Sequence, residues 1–379
     1  MEDLLKNNKL FATHAIAAAG SVTFGSALTY PLDTLKVLVQ VGSNSNKPLN
    51  LHQVLNRVIS LSGYSGLFNG FGWLTSGRIL GLGARFGIFE ILTAFYKDGR
   101  EDSYVHVSEA LMAGMAAGVI ESVISSPFEL IKIRAQVTSA LRSPRSTFIA
   151  GNKDVVPLID KLLPGYIPDK MALNNSSALL STLSAKHPNL VGALQGYPWM
   201  MTGSGKAPSV SDVQKPSSII SLEGWGALWK GLRSGIVRDS VYAGVFFSSW
   251  QFLHRAMLDW KAVGMDPIPR TDEEVGPLSP LAVSLAAGFS GSVGAAASHG
   301  LDTAKSRSQC TVLPKYISME RKLLKWNRPG KSFERLVGIH PADRDLLFRG
   351  IWLRMARCGL ASFTIVGSYY LAVDYLVSE

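Results

Sequence analysis

Three stretches of the chain carry one pattern. YPLDTLKVLVQ (Tyr30–Gln40), SPFELIKIRAQ (Ser126–Gln136) and HGLDTAKSRSQ (His299–Gln309) each set an acid, a base and a glutamine at fixed offsets. Counted from Pro31, Pro127 and Gly300, the acid is at +2, the base at +5 and the glutamine at +9. One such acid–base pair is compatible with an ordinary helical i,i+3 contact. Three copies in register, each closing an apolar segment, make an internal repeat, and a repeat constrains architecture more than any single motif.

A second element recurs between them. GYSGLFNG (63–70), EGWGALWKG (223–231) and DRDLLFRG (343–350) each end in an aromatic, a polar or basic residue and a glycine. Apolar segments near 10–40, 71–96, 108–136, 231–257, 279–309 and 350–376 reach the roughly 20 residues that cross a bilayer. The odd segments end in the acid–base–glutamine motif, and the even ones follow the aromatic–glycine element. From first motif position to closing glycine the spans are 39, 104 and 50 residues. Repeat two therefore holds an insert at about 138–218, rich in Ser, Pro, Asn and Gly, whose composition suits a solvent-exposed loop. The expected units are residues 1–100, 101–270 with that insert, and 271–379. The first residues read as a short polar lead into the first helix.

Composition agrees with a membrane protein. Charged residues are 17% of the chain, against about 25% in soluble domains. The net charge of +10 fits basic loops at anionic lipid surfaces. No basic stripe interleaved with aromatics suggests nucleic acid. Two cysteines, Cys310 and Cys358, support neither a disulfide framework nor a zinc site. No nucleophile–base set, P-loop or metal spacing points to an enzyme, so no cofactor and no metal are expected.

With these motifs the chain resembles the mitochondrial carrier family, whose repeat reads P-x-[DE]-x-x-[KR] with a later [DE]-G and an aromatic–basic–glycine. The resemblance covers nearly everything but the insert. It implies an all-α membrane protein with six transmembrane helices in three pseudo-threefold repeats and short surface helices on the matrix side. It implies a monomeric, multi-pass protein of the mitochondrial inner membrane. It also implies a matrix-side gate closed by Asp33–Lys132, Glu129–Lys305 and Asp302–Lys36, an arrangement that meets the physical need of acids in a bilayer for a partner. Solvated pairs within single helices are the alternative. Gln40, Gln136 and Gln309 are expected to brace the pairs. Pro31 and Pro127 are expected to kink their helices, whereas Gly300 permits a bend without imposing one. Gly70, Gly231 and Gly350 match positions that bind cardiolipin phosphates in the family, at helix N-termini suited to anions; a plain glycine turn is the alternative. Gly20, Gly25, Gly114, Gly118, Gly288, Gly291 and Gly294 are packing positions.

Seven and eight residues past the closing glycines stand Gly77-Arg78, Arg238-Asp239 and Arg357-Cys358. The resemblance makes these the substrate contacts, and GARFGIFE (83–90) supports the alignment. Arg78, Arg238 and Arg357 suit a carboxylate or phosphate, because the guanidinium fork is planar and bidentate. Asp239 suits an ammonium. The expected cargo is a small carboxylate-bearing metabolite, an amino acid before others. Glu121 either faces the cavity or pairs locally, and His14 and His299 read as structural. The family's [YF]-[DE]-x-x-[KR] ring is incomplete: Phe89-Glu90 precedes Thr93, Trp250-Gln251 precedes His254, and Tyr369-Tyr370 precedes Val373. Aromatic packing and hydrogen bonds are expected there instead. The departure keeps an alternative in play, a carrier-derived scaffold that docks partners through its long loop.

Overall fold

The structure, a computed structural model, describes residues 2–42, 50–98, 105–140, 210, 213–265, 272–310, 312 and 347–378. These residues are helical throughout their regular elements. Helix α1 spans Glu2–Gly42, α2 Leu51–Ser62, α3 Phe71–Lys97 and α4 Val107–Ser139. Next come α5 Pro216–Glu223, α6 Leu232–Val263, α7 Pro280–Ala297, α8 His299–Gln309 and α9 Ile351–Ser378. One 3₁₀ turn, Tyr64–Phe68, leads into α3 and another, Trp225–Trp229, leads into α6. Helix α1 already begins at Glu2, so the expected polar lead is part of the helix.

The distribution of side chains is inverted relative to a water-soluble bundle. Phe24 and Leu28 on α1, Ile91 and Phe95 on α3, and Met112 on α4 are exposed. So are Phe252 on α6, Leu281, Leu285 and Phe289 on α7, and Leu371 on α9. Buried positions instead hold Asp33, Lys36, Lys132, Arg238, Asp239, Asp302 and Lys305. An apolar exterior around a charged interior is stable where the surrounding solvent is hydrocarbon. Three stretches, Tyr64–Lys97, Val107–Ser139 and Pro280–Ala297, are long and apolar enough to cross a membrane. Helices α6 and α9 interrupt their apolar runs with Arg238-Asp239 and with Arg354 and Arg357.

The first surface helix, α2, buries Val54 and Val58 against Leu35, Leu38 and Val39 of α1 and Leu67. Helix α5 occupies the matching place in repeat two; its counterpart in repeat three falls outside the described residues. Helix α4 runs to Ser139, and Val213, fully buried, accepts a hydrogen bond at 3.4 Å from Arg134. The extra residues therefore lie within 141–212, of which only Val210 is described. Among the expected packing glycines, Gly114, Gly288 and Gly294 sit where a Cβ would press on the backbone of a facing helix, whereas Gly20 faces open space.

The repeats differ at their first motif position. Helices α1 and α4 continue through Pro31 and Pro127. The third copy, which has Gly300, is interrupted at Ser298 between α7 and α8.

Gly70, Gly231 and Gly350 immediately precede α3, α6 and α9, all in the left-handed region with φ of 87°, 79° and 81°. An L-residue there costs about 1–2 kcal/mol in backbone strain. A methyl at Gly350 meets nothing nearer than Val39 Cγ1 at 3.8 Å, whereas at Gly70 it meets Ala135 Cβ and Tyr30 Oη at 3.1 Å. Gly350→Ala should therefore lower thermal stability by the strain alone, and Gly70→Ala by visibly more. Comparison of melting temperatures of the two purified variants checks this order.

Candidate functional site

The motif segments of α1, α4 and α8 converge at one end of the helix bundle. Lys132 Nζ donates to Asp33 Oδ2 at 2.8 Å, and Lys36 Nζ donates to Asp302 Oδ2 at 2.8 Å. Lys305 pairs with Glu129. The three cross-helix pairs therefore close a ring of α1 to α4, α4 to α8, and α8 back to α1. Gln136 donates at 3.1 Å to Asp33 and to Thr34 Oγ1, and Gln40 donates at 3.1 Å to Asp302 and to Thr303 Oγ1. Gln309 departs from the pattern, since its Nε2 donates to the Lys230 carbonyl at 3.3 Å. Glu129, one methylene longer than the two aspartates, has its carboxylate drawn toward Arg238 instead.

Arginines of α6 and α9 add a second layer. Arg238 meets Asp239 through Nε at 2.7 Å and NH2 at 2.9 Å. It also donates to Glu129 Oε1 at 2.8 Å and to Asp302 Oδ1 at 3.1 Å. The fork expected to await a ligand is thus occupied by the chain's own carboxylates. Arg357 Nε lies 3.3 Å from Asp33 Oδ1, close enough for an ion pair but without hydrogen-bond geometry. Arg78 donates to Ser26 Oγ at 3.1 Å and pairs with no described carboxylate. Donor capacity for an incoming anion is therefore concentrated on Arg78 and Arg357.

These groups line one cavity of about 150 Å³. Its wall carries the carboxylates Asp33, Glu121, Glu129, Asp239 and Asp302. Facing them are Lys36, Arg78, Arg85, Lys132, Arg238, Arg354 and Arg357, which leaves two positive charges in excess. Glu121 both lines the cavity and pairs with Arg85 at 3.2 Å. The Arg85 guanidinium sits 5.4–5.9 Å from the ring centres of Phe86, Tyr242, Phe246 and Phe247, within cation–π range.

Where the acid–base ring is incomplete, aromatic contacts occur. Phe89 stacks on Phe247 with ring centres 3.7 Å apart, and His14 Nδ1 lies 2.9 Å from Tyr369 Oη. His299 Nε2 meets the Arg349 carbonyl at 3.2 Å. Both histidines thus have structural partners. Beside the charged floor, fully buried Arg134 pairs with Glu223 at 2.6 Å. Lys230, which lies outside the long helices, also faces Glu223 at 3.4 Å. Burial draws its ammonium down to about 8 against the pull of that carboxylate.

Sequence reasoning missed Arg85, Arg134 and Arg354. Arg134 falls within the second motif, and Arg85 stands in the GARFGIFE run, so both were within reach. Arg354 lies four residues past Gly350, off the +7/+8 count; only the tertiary arrangement brings it to Asp302, with Nε 3.6 Å from Oδ2.

The chain is similar in sequence to known proteins. The chain matches the model of a family described as mitochondrial carrier protein over residues 7–100 and 103–157. It is 24% identical over 301 residues to the mitochondrial electrogenic aspartate/glutamate antiporter of Homo sapiens, covering 67% of this chain and 43% of that protein. A calcium-binding mitochondrial carrier protein of Dictyostelium discoideum is 23% identical over 315 residues, covering 71% and 40%. Mitochondrial citrate transporter C of Aspergillus niger is 30% identical over 130 residues, covering 33% and 40%. The alignments thus span about two-fifths of the length of these relatives.

Breaking a buried pair from one side costs about 3–5 kcal/mol, because the surviving charge is left without a partner. Lys132→Glu should accordingly destabilise the protein strongly, with two carboxylates facing each other where the 2.8 Å pair stood. Asp33→Lys in the same chain should recover part of the loss. Recovery stays incomplete because Arg357 would then face a cation. Thermal unfolding of the three chains measures it, and a double variant no more stable than Lys132→Glu alone refutes the pairing as an energetic unit.

Proposed function

We propose that this chain is a mitochondrial carrier that transports a small carboxylate-bearing metabolite, an amino acid before others, across the mitochondrial inner membrane. The observation that carries the reading is the cavity: its wall, which takes in acids and lysines of the ion-pair floor, carries two more positive than negative side chains. A desolvated cavity with surplus guanidinium favours an anion and admits a free cation poorly. In this reading α1, α3, α4, α6, the α7–α8 pair and α9 are six spans in three repeats, within units 1–100, 101–270 and 271–379. The protein works as a monomer. Gly70, Gly231 and Gly350 expose helix N-termini to lipid phosphate such as that of cardiolipin.

The same residues supply a route for alternating access. Arg357 is shared with Asp33, and Arg238 with Glu129 and Asp302. A ligand carboxylate that recruits Arg78 and Arg357 withdraws one partner from Asp33, and engagement of Arg238 withdraws one from the other two acids. Binding therefore loosens the gate it rests on. Asp239 takes the ammonium of an amino acid once Arg238 turns to the ligand. The relatives named for aspartate/glutamate and for citrate fit a cargo that carries carboxylate.

The test is thermal stabilisation of the purified protein by amino acids, keto acids, tricarboxylates and nucleotides. A ligand at a hundredfold its Kd stabilises by about 2.7 kcal/mol. Arg78→Ala is the cleaner variant, because it strands no carboxylate among the described residues. It should weaken carboxylate binding by about 1.5–3 kcal/mol, roughly ten- to a hundredfold. Asp239→Asn should weaken amino acids more than the corresponding keto acids. Equal loss for both would move the cargo to plain carboxylates.

A second reading, a membrane scaffold without transport, is favoured by the missing acid–base pairs at Glu90/Thr93, Gln251/His254 and Tyr370/Val373. Deleting residues 141–209 separates the two. Carriage predicts unchanged ligand stabilisation, because every cavity residue lies outside the deletion. The scaffold reading predicts no small-solute response in either chain.

A further inference from the structure

The third motif lacks the proline of the other two, yet its helix is the one that breaks, at Ser298. Proline would remove one backbone donor and leave a carbonyl without its helical partner. In repeat two that carbonyl belongs to Val123, four residues before Pro127, and it accepts from Trp229 Nε1 at 3.1 Å. The residue matching Trp229 in repeat three is Phe348, whose side chain has no N–H to give.

One guanidinium occupies the break instead. Arg354, 4% exposed, donates from NH1 to the Ala295 carbonyl at 3.0 Å and from NH2 to Ser298 Oγ at 2.8 Å. Its Nε lies 3.6 Å from Asp302 Oδ2. The three nitrogens thus tie the last turn of α7, the interrupting residue and the first turn of α8. Ser298 in turn donates to the Gly294 carbonyl at 2.8 Å. A lysine cannot reproduce these two hydrogen bonds and the ion pair with the same fork, because its donors sit on a single nitrogen.

We propose that Arg354 is a positioning residue that replaces the missing proline: it holds the α7–α8 break and so aims Asp302 into the ring of ion pairs. The arrangement makes a specific rescue available. A Cβ added at Gly300 meets nothing within 4 Å, and Gly300 is the second residue of α8, in the first turn where proline is tolerated. Proline placed there restores the sibling pattern by covalent means.

The experiment needs no knowledge of the cargo. Cys310 caps α8 and is partly exposed, so its alkylation, followed by peptide mass spectrometry on the full-length purified protein, reports how firmly α8 is held. Arg354→Ala should label several-fold faster than the parent and melt at lower temperature. Gly300→Pro alone should resemble the parent, and Arg354→Ala with Gly300→Pro should return both readouts toward it. Arg354→Lys, which keeps a charge near Asp302 without the fork, should label like the alanine variant. If Arg354→Ala yields no folded protein, recovery of folded protein by Gly300→Pro becomes the readout. The proposal is overturned by an alanine variant that labels like the parent. A lysine variant indistinguishable from the parent overturns it too, and so does a double variant no better than alanine alone.

Discussion

The carboxylates of Asp33, Glu129 and Asp302 govern this structure. Asp33 and Glu129 belong to long apolar helices, and Asp302 to the short helix that continues apolar α7. An ionised carboxylate inside a protein is tolerated only when it is paired and hydrogen-bonded. None of the three can find that partner within its own motif, because the base at +5 points to a neighbouring helix. Helices α1, α4 and α8 are therefore bound to converge, and the elements between them follow that demand. The exposed apolar surface and the buried charge are two consequences of one placement.

The floor of ion pairs and the cavity above it are a single electrostatic unit. Asp302 is approached by Lys36, Gln40, Arg238 and Arg354, while Asp33 has Lys132, Gln136 and Arg357. Only the lysines and glutamines among these belong to the motifs. The arginines come from α6 and α9, and they line the space a cargo would enter. Under the proposed function, a solute that competes for them would act on the floor directly, with no relay through distant packing.

The three repeats solve one problem with different chemistry. Repeats one and two use a glutamine to brace the aspartate at the ring, and repeat three sends Gln309 to a backbone carbonyl. Repeat two covers the carbonyl left by Pro127 with an indole, and repeat three covers its break with a guanidinium. Near the incomplete acid–base pattern of α3, Phe89 stacks on Phe247. Pseudo-symmetry of the backbone thus leaves each site free to vary, provided that every buried polar group is still satisfied.

The amino-acid sequence by itself determined the helices, the inward acids and bases, and the three left-handed glycines ahead of α3, α6 and α9. Those features rest on periodicity, on fixed offsets and on backbone sterics, all of which are local. It also brought Arg78, Arg238, Asp239 and Arg357 to attention by their distance from those glycines. Which of them is free for a ligand was decided by tertiary structure alone. Arg238 and Asp239 are adjacent in the chain, and only the approach of α4 and α8 fills the remaining donors of Arg238 with Glu129 and Asp302. Arg354 was hidden for the same reason. Its three partners lie 52 to 59 positions away along the chain, and no local pattern encodes a contact that exists only once α7, α8 and α9 have packed together.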